Sequence, residues 1–339
     1  MMRSVDRADG QVHVVVVGSI NMDLIARVKR LPRPGQTVAG HELLELPGGK
    51  GANQAVAAAR LGARVTLIGR VGDDGFGTRL LENLRREQID TRYVTTTANC
   101  SSGVAIVGVE DQGENSIIVT PGANGRLTPR DITDFEAVIA AADVLLVQLE
   151  TPLETVAAAI AAARRFGVLT ILDPAPASGS LPPELLNVDF LCPNESEAAA
   201  LSGLAVDSTE DAIRAASALR TLGAAHVVIT MGHRGALLCD QTGACSAMSP
   251  FGVAAIDSTA AGDAFAAGLG VALAESDDVH RAVDWGCAAG ALAASRLGAQ
   301  PAMPTRADVL QLLARGQRLA AELPPKQPSD AAKHSQLRS

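Results

Sequence analysis

The sequence predicts an α/β protein whose mostly parallel sheet is covered by helices on both faces, and three observations carry that prediction. Residues 12–17 form a short run rich in valine that ends in Gly18-Ser19, as a buried and central first strand would. Alanine-rich helical stretches then alternate with short apolar runs along most of the chain. The phrase Leu61-Gly62-Ala63 before one such run is echoed by Leu222-Gly223-Ala224 before another, which marks repeated β-α usage and not a solenoid period.

Taken in order, residues 51–61 have good helix propensity and stop at Gly62, and 64–68 return to strand character. A helix is expected over 75–88. Thr128-Pro129 offers an N-cap and a first-turn proline for a helix reaching Ala142, and a strand follows over 144–147. Thr151-Pro152-Leu153-Glu154 has the capping-box spacing for a helix ending at Phe166, ahead of a strand over 168–172. Further strands are expected over 187–191 and 227–229. Two stretches, 36–46 and 103–120, are strand-like without a good helix, where a doubly wound core would carry short loops. They read as a small β lid, the alternative being an antiparallel edge on the main sheet. A polar leader over 1–11 and a Pro- and Lys-containing tail over 323–339 are expected to be disordered, leaving one domain over 12–322.

Composition narrows the function classes. With 339 residues, 47% of them hydrophobic and 19% charged, the chain can bury a substantial core. Aromatic residues are only 2%, Trp285 and Tyr93 being the sole Trp and Tyr, and the net charge is −8; neither suits a nucleic-acid surface. The five cysteines (Cys100, Cys192, Cys239, Cys245, Cys287) contain no C-x-x-C pair and no cluster with His at zinc spacing. Neither a disulfide scaffold nor a structural metal is expected, and a cytoplasmic setting fits. The N-terminus lacks the apolar run of a signal peptide, and the uncharged stretch 264–274 (interrupted by no Lys or Arg) falls short of the ~20 residues that cross a bilayer, so no membrane role is expected.

Three motifs suggest chemistry. Asp257-Ser258-Thr259-Ala260-Ala261-Gly262-Asp263 precedes an apolar helical run, so bare amides and the helix dipole could hold a phosphate, with Asp263 placed as a base beside it. Asp263 complementing the dipole is the bland alternative. Pro47-Gly48-Gly49-Lys50-Gly51-Ala52-Asn53 sets glycines around a lysine before a helix, but it is not a Walker A loop, because Leu44 stands where the first glycine belongs and no Ser or Thr follows Lys50. Asn194-Glu195-Ser196-Glu197 fits a plain capping box, or a glutamate near hydrated Mg²⁺ and phosphates. Asn21 and Asp23, just past the first strand, fit either a turn or acceptors for sugar hydroxyls at the carboxyl end of the sheet. A dinucleotide-dependent oxidoreductase is disfavoured, because no G-x-G-x-x-G opens a helix after the first strand.

These segments occur together and in order. Gly18-Ser19-Ile20-Asn21-Met22-Asp23, Gly48 through Ala55, Gln148-Leu149-Glu150, Pro193 through Glu197 and Asp257 through Asp263 resemble the PfkB, or ribokinase-like, family of carbohydrate kinases. So do Gly113-Glu114-Asn115, Gly122-Ala123-Asn124 and Gly298-Ala299-Gln300-Pro301, and the resemblance spans 12–315.

The resemblance implies a Rossmann-like doubly wound sandwich with a β-sheet lid, often paired with a second subunit's lid, hence a homodimer. It implies transfer of the ATP γ-phosphoryl group to a sugar hydroxyl, O5 of D-ribose foremost, the alternatives being deoxyribose, fructose, a nucleoside or 2-keto-3-deoxygluconate. Asp263 takes the base position, and Ala260, Ala261 and Gly262 supply the anion-hole amides. The sugar set is Asn21, Met22, Asp23, Gly49, Lys50, Gly51, Ala52, Asn53, Glu150 and Asp263. The nucleotide set is Asn194, Glu197, Thr230, Met231, Gly232, His233, Arg234, Gly235, Gly262 and Cys287, with Glu197 tied to Mg²⁺. A monovalent cation, typically K⁺, falls to Asp257, Thr259, Ala293, Arg296, Gly298 and Ala302. The sequence departs from the family at Ala302, where relatives often carry Ser, and at His233 and Cys287 beside the nucleotide.

Overall fold

The computed structural model describes residues 10–319, apart from 113, 177, 178, 277 and 317. The expected tail, and all but the last two residues of the expected leader, lie outside the described residues. Strand β1 (His13–Val17) is buried throughout, and its alternating side chains serve two cores: Val14 and Val16 face one, Val15 and Val17 the other. Helices on both faces of the sheet follow from that division.

After Gly18-Ser19-Ile20 the chain enters β2 (Asn21–Val28) and returns through β3 (Gly40–Gly48) to α1 (Lys50–Arg60). Helix α1 crosses β1 so closely that a Cβ on Gly51 would lie 2.6 Å from the carbonyl carbon of Gly18 and from the Ser19 nitrogen. Its N-cap, Gly49, has φ of 88° and would place any Cβ 2.7 Å from the Asn21 nitrogen. Strand β4 (Arg64–Gly72), helix α2 (Gly75–Arg86) and strand β5 (Val94–Thr97) continue the rhythm. A hairpin follows, β6 (Gly103–Glu110) and β7 (Asn115–Thr120).

Thr128 caps α3 (Pro129–Asp134) in a full capping box with Asp131, as its sequence predicts. The helix does not continue to Ala142. It breaks at Phe135, whose ring packs edge-on against Tyr93 at 5.2 Å, and resumes as α4 (Glu136–Ala140). Strand β8 (Val144–Val147) leads to α5 (Leu153–Phe166). The capping box expected at Thr151 does not form: Pro152 holds the N-cap position with ψ of 133°, so Glu154 falls one place early to reach back.

Strand β9 (Leu169–Leu172) and helix α6 (Pro183–Leu186) precede β10, which shrinks from the expected five residues to Phe190–Leu191 because Asn187 serves as the C-cap of α6. Next come α7 (Glu195–Ser202), α8 (Thr209–Thr221), β11 (His226–Thr230), β12 (Ala236–Cys239) and β13 (Cys245–Met248). Helices α9 (Ala261–Glu275), α10 (Val279–Ala294) and α11 (Arg306–Arg315) end the described chain.

The large sheet has the order β13-β12-β11-β10-β9-β8-β1-β4-β5, parallel except for the antiparallel pairs β11–β12 and β12–β13. The small sheet has the order β3-β2-β6-β7 and its strands form a ladder separate from the large sheet, so the two strand-like stretches are not an added edge of it. Asn21 and Asp23 do not sit in a turn: they open β2, an inner strand of the small sheet.

The cysteine reading also needs correction. Cys239 and Cys245 face each other across the β12–β13 ladder and are joined by a disulfide. Their spacing of six matches no C-x-x-C pattern; a tight antiparallel hairpin is what brings them together. Among the described residues no helix is long and apolar enough to cross a membrane.

Candidate active site

The carboxyl ends of the adjacent parallel strands β1, β8, β9, β10 and β11 deliver Ser19, Glu150, Asp173, Asn194 and Thr230 to one edge of the large sheet. The N-termini of α1 and α9 open toward the same edge, where open α/β sheets bind ligands. The residues expected to bind ligands fall there into two groups and a flanking loop.

In the group expected to meet a sugar, Asp263 sits in the first turn of α9 at 3% exposure, with both carboxylate oxygens engaged. Oδ2 accepts from Asn53 Nδ2 at 3.0 Å and Oδ1 from Gln54 Nε2 at 3.1 Å, so the group is held in orientation and does more than complement the dipole. Burial pushes its pKa up, against the opposing pull of Lys50 and the two amide bonds. Glu150 accepts from the Ser19 hydroxyl and, at 3.1 Å, from the Lys50 N–H. Asp23, lifted to about 7 by burial and by the charges of Glu150 and Asp263, belongs to the same cluster. The Lys50 ammonium is pushed up despite burial, because Asp173, Asp263, Glu150 and Glu197 surround it. Asn21 is fixed through Asn124, whose Nδ2 donates to Asn21 Oδ1 at 2.7 Å and whose Oδ1 accepts from Ile20 N at 2.9 Å. Beside them opens a cavity of about 410 Å³ lined by Asn21, Asn124, Glu150 and Thr151. Met22 and Ala52 bury their side chains in the core, and Gly51 lies against β1, so only backbone atoms of these three could meet a ligand.

In the group expected to meet a nucleotide, Asn194 and Glu197 form the reciprocal capping box of α7, with Asn194 Oδ1 accepting from Glu197 N at 2.9 Å and Glu197 Oε2 from Asn194 N at 2.8 Å. The bland reading therefore holds; Asn194 also pairs with Thr230 through an isolated bridge, and the charge of Glu197 reaches Lys50 and Asp173. Arg234 ties the Gly232–Arg234 turn to α7 through an ion pair with Glu195. Gly235, with φ of 89°, would put a Cβ 2.0 Å from Met248 O. His233 is exposed, Met231 belongs to the core, and burial together with Asp284 pushes the Cys287 thiol up to about 12.

At the start of α9, Ala260 adopts the left-handed conformation (φ 59°) and provides no side-chain cap. The Ala261 N–H donates to Ser258 O at 3.2 Å, whereas Gly262 N has no acceptor among the described residues. Helix N-termini in this state hold anions. In the flanking loop, Asp257 accepts from Thr259 Oγ1 at 2.6 Å, Thr259 N at 2.9 Å and Gly298 N at 2.9 Å, and against its burial these bonds hold its pKa below the ordinary range. Ala293 and Ala302 are fully buried nearby in sequence, while the Arg296 guanidinium turns to Asp308 at 3.2 Å.

Sequence reasoning missed Gln54 and Asp173 as candidate site residues. Asp173 follows β9 directly and stands before Pro174, a position at the carboxyl end of a parallel strand that could have flagged it.

Comparison with known proteins agrees with this fold. A family model described as "pfkB family carbohydrate kinase" matches residues 11–306. The chain is 41% identical over 301 residues to a ribokinase of Haemophilus influenzae, covering 88% of this chain and 98% of that one. It is 35% identical over 293 residues to a deoxyribokinase of Salmonella typhi, covering 86% and 95%. Among solved structures, Arabidopsis thaliana ribokinase complexed with ribose and ATP superposes with a TM-score of 0.83 at 33% identity, covering 89% of this chain and 99% of that one. Over nearly all of its described length, then, the chain belongs to the pfkB family of carbohydrate kinases.

Proposed function

We propose that this chain transfers the γ-phosphoryl group of ATP to O5 of D-ribose, giving ribose 5-phosphate and ADP, with Asp263 as general base. The carrying observation is Asp263 itself, buried at the start of α9 and clamped by Asn53 and Gln54. A carboxylate oxygen has two lone-pair directions, so each can accept one amide and still face a hydroxyl. Asp263 takes the hydroxyl proton as the sugar oxygen attacks phosphorus. The open Gly262 amide, the α9 dipole and the Lys50 ammonium meet the negative charge of the transferring group. Asn21, Asp23 and Glu150 supply acceptors for the remaining sugar hydroxyls, and the small sheet closes over them to keep water from taking the phosphoryl group.

Among the described residues no group of three or more His, Cys, Asp or Glu could hold a metal by itself. That suits Mg²⁺ held chiefly by phosphates and waters, with Glu197 as the nearby carboxylate; bound there, it neutralises phosphate charge. The oxygens of the Asp257–Thr259–Gly298 loop suit a monovalent cation such as K⁺, which would stiffen the loop before α9; Ala302 adds no hydroxyl. The small sheet supports a homodimer, since Ile117, Ile118 and Val119 of β7 and Leu43 of β3 are each at least half exposed. The cytoplasm, where ATP is abundant, is the proposed setting. Its thiol pool would reduce Cys239–Cys245, and the β12–β13 ladder pairs four residues on each strand without it.

The similarity to a deoxyribokinase favours 2-deoxyribose as the second reading. ADP release measured with ribose, 2-deoxyribose, fructose and adenosine, in K⁺ and in Na⁺, tests both. Ribose should give the highest kcat/KM and K⁺ the faster turnover. Fructose or adenosine turned over far better than ribose would overturn the substrate, and equal rates in the two cations would remove the K⁺ site.

A further inference from the structure

The proposed reaction leaves one buried network unused. Gln54 Nε2 donates to Asp173 Oδ2 at 3.0 Å and to Asp263 Oδ1 at 3.1 Å, so a single amide nitrogen, with its two hydrogens, bridges two carboxylates. Its oxygen accepts from Gln148 Nε2 at 2.6 Å, and turning the Gln54 amide over would set that oxygen against both carboxylate oxygens. All four side chains are buried, and they come from α1, α9 and the ends of β8 and β9. No requirement of the fold calls for an acid at the end of β9, where burying a carboxyl is costly.

The charged and titratable groups facing Asp173 come from several elements: Lys50 of α1, Asp263 of α9, Glu197 of α7, Glu150 after β8 and the buried Cys192 thiol after β10. Burial raises its pKa, Lys50 opposes the rise, and the three other carboxylates add to it. Two carboxylates sharing one donor release their protons in coupled steps, so the charge on one sets the titration of the other.

We propose that Asp173 is a positioning residue for phosphoryl transfer, acting on Asp263 through the Gln54 amide. The inference rests on the reading of Asp263 as the base. Asp173 keeps Gln54 turned toward Asp263 by accepting the second hydrogen of the amide.

The test is ribose-dependent ADP release for the unmodified chain, Asp173→Asn, Asp173→Leu and Gln54→Leu, with thermal unfolding of each. Asp173→Asn keeps an oxygen for Gln54 and should hold kcat within about threefold, whereas Asp173→Leu removes that acceptor and should lower kcat about tenfold or more, with ribose KM within about threefold in both. Gln54→Leu frees one oxygen of the base and should lower kcat about tenfold or more, again at nearly constant KM. A folded Asp173→Leu chain whose kcat stays within about threefold of the unmodified chain overturns the proposal, and so does an Asp173→Asn chain that loses about tenfold or fails to fold, because the carboxyl would then act otherwise than as the acceptor of Gln54. Should one leucine variant fail to fold, the other decides together with Asp173→Asn. An unmodified chain that releases no ADP with any sugar overturns the functional reading and this proposal together; an active chain whose Asp173→Leu variant keeps its kcat overturns only the proposal.

Discussion

Replacing Asp263 by Asn should separate activity from stability. Loss of a general base costs about 10² to 10⁴ in kcat, which is about 3–5 kcal/mol of transition-state stabilisation. The stability side can be worked from the contacts. Both Asp263 oxygens accept from amides, so an Asn there would set its own NH₂ against one donor. Asn53 resolves the conflict, because its Oδ1 is buried and has no partner among the described residues; turning its amide over offers that oxygen to the new NH₂. Ionising Asp263 is already disfavoured in the fold, and Asn removes that cost above the carboxyl's ordinary titration range. Thermal unfolding near pH 8 should therefore show an equal or higher Tm, while single-turnover phosphorylation collapses and ribose binding persists. A kcat within about tenfold of the unmodified chain would refute the base assignment. A Tm lowered by more than about 3 °C, roughly 2 kcal/mol for a chain this size, would refute the account of the contacts.

Three further outcomes follow from other parts of the molecule. Asp23 titrates at about 7 in the fold against an ordinary 3.8, so the folded chain keeps a proton the unfolded chain has lost; ligand-free stability should fall as pH rises from about 4 to 7, by at most about 4 kcal/mol from this group, and Asp23→Asn should flatten that decline in urea titrations. Gly51→Ala would press a methyl to 2.6 Å from backbone atoms that cannot rotate away, and should cost about 1–3 kcal/mol in chemical denaturation; an unchanged midpoint would show that α1 can shift. Ile118→Asp, at a side chain 65% exposed on β7, should convert a dimer to monomer in sedimentation while leaving the Tm of the monomer unchanged; a dimer that survives it does not pair through the small sheet.

The sequence shows its framework most clearly where local chemistry and burial agree. The valines of β1, the Ala-rich α1 and the Thr128 cap are each visible in a few consecutive residues, because strand alternation, helix propensity and capping act over that range. β2 was hidden because Asn21 and Asp23, residue types common in turns, open a strand that pairs on both sides. Thr151 misled because Pro152 moves the helix start by one position. The Gln54 bridge lies beyond local reading: its two carboxylates stand 119 and 209 positions away, and only the fold makes them neighbours. Cys239 and Cys245 became legible as a pair once the hairpin register was known.

The contact between Gly18 and Gly51 has a bearing on how such a molecule can diversify. It welds the first helix to the large sheet with no side chain between them, so Lys50, Asn53 and the carboxylate they surround form one rigid block. Asn21 and Asp23 ride instead on the small sheet, joined to that block by a short run of chain. Under the proposed reaction, substitutions around Asn21 and Asp23 would retune two of the sugar's contacts while leaving the block that holds Asp263 undisturbed.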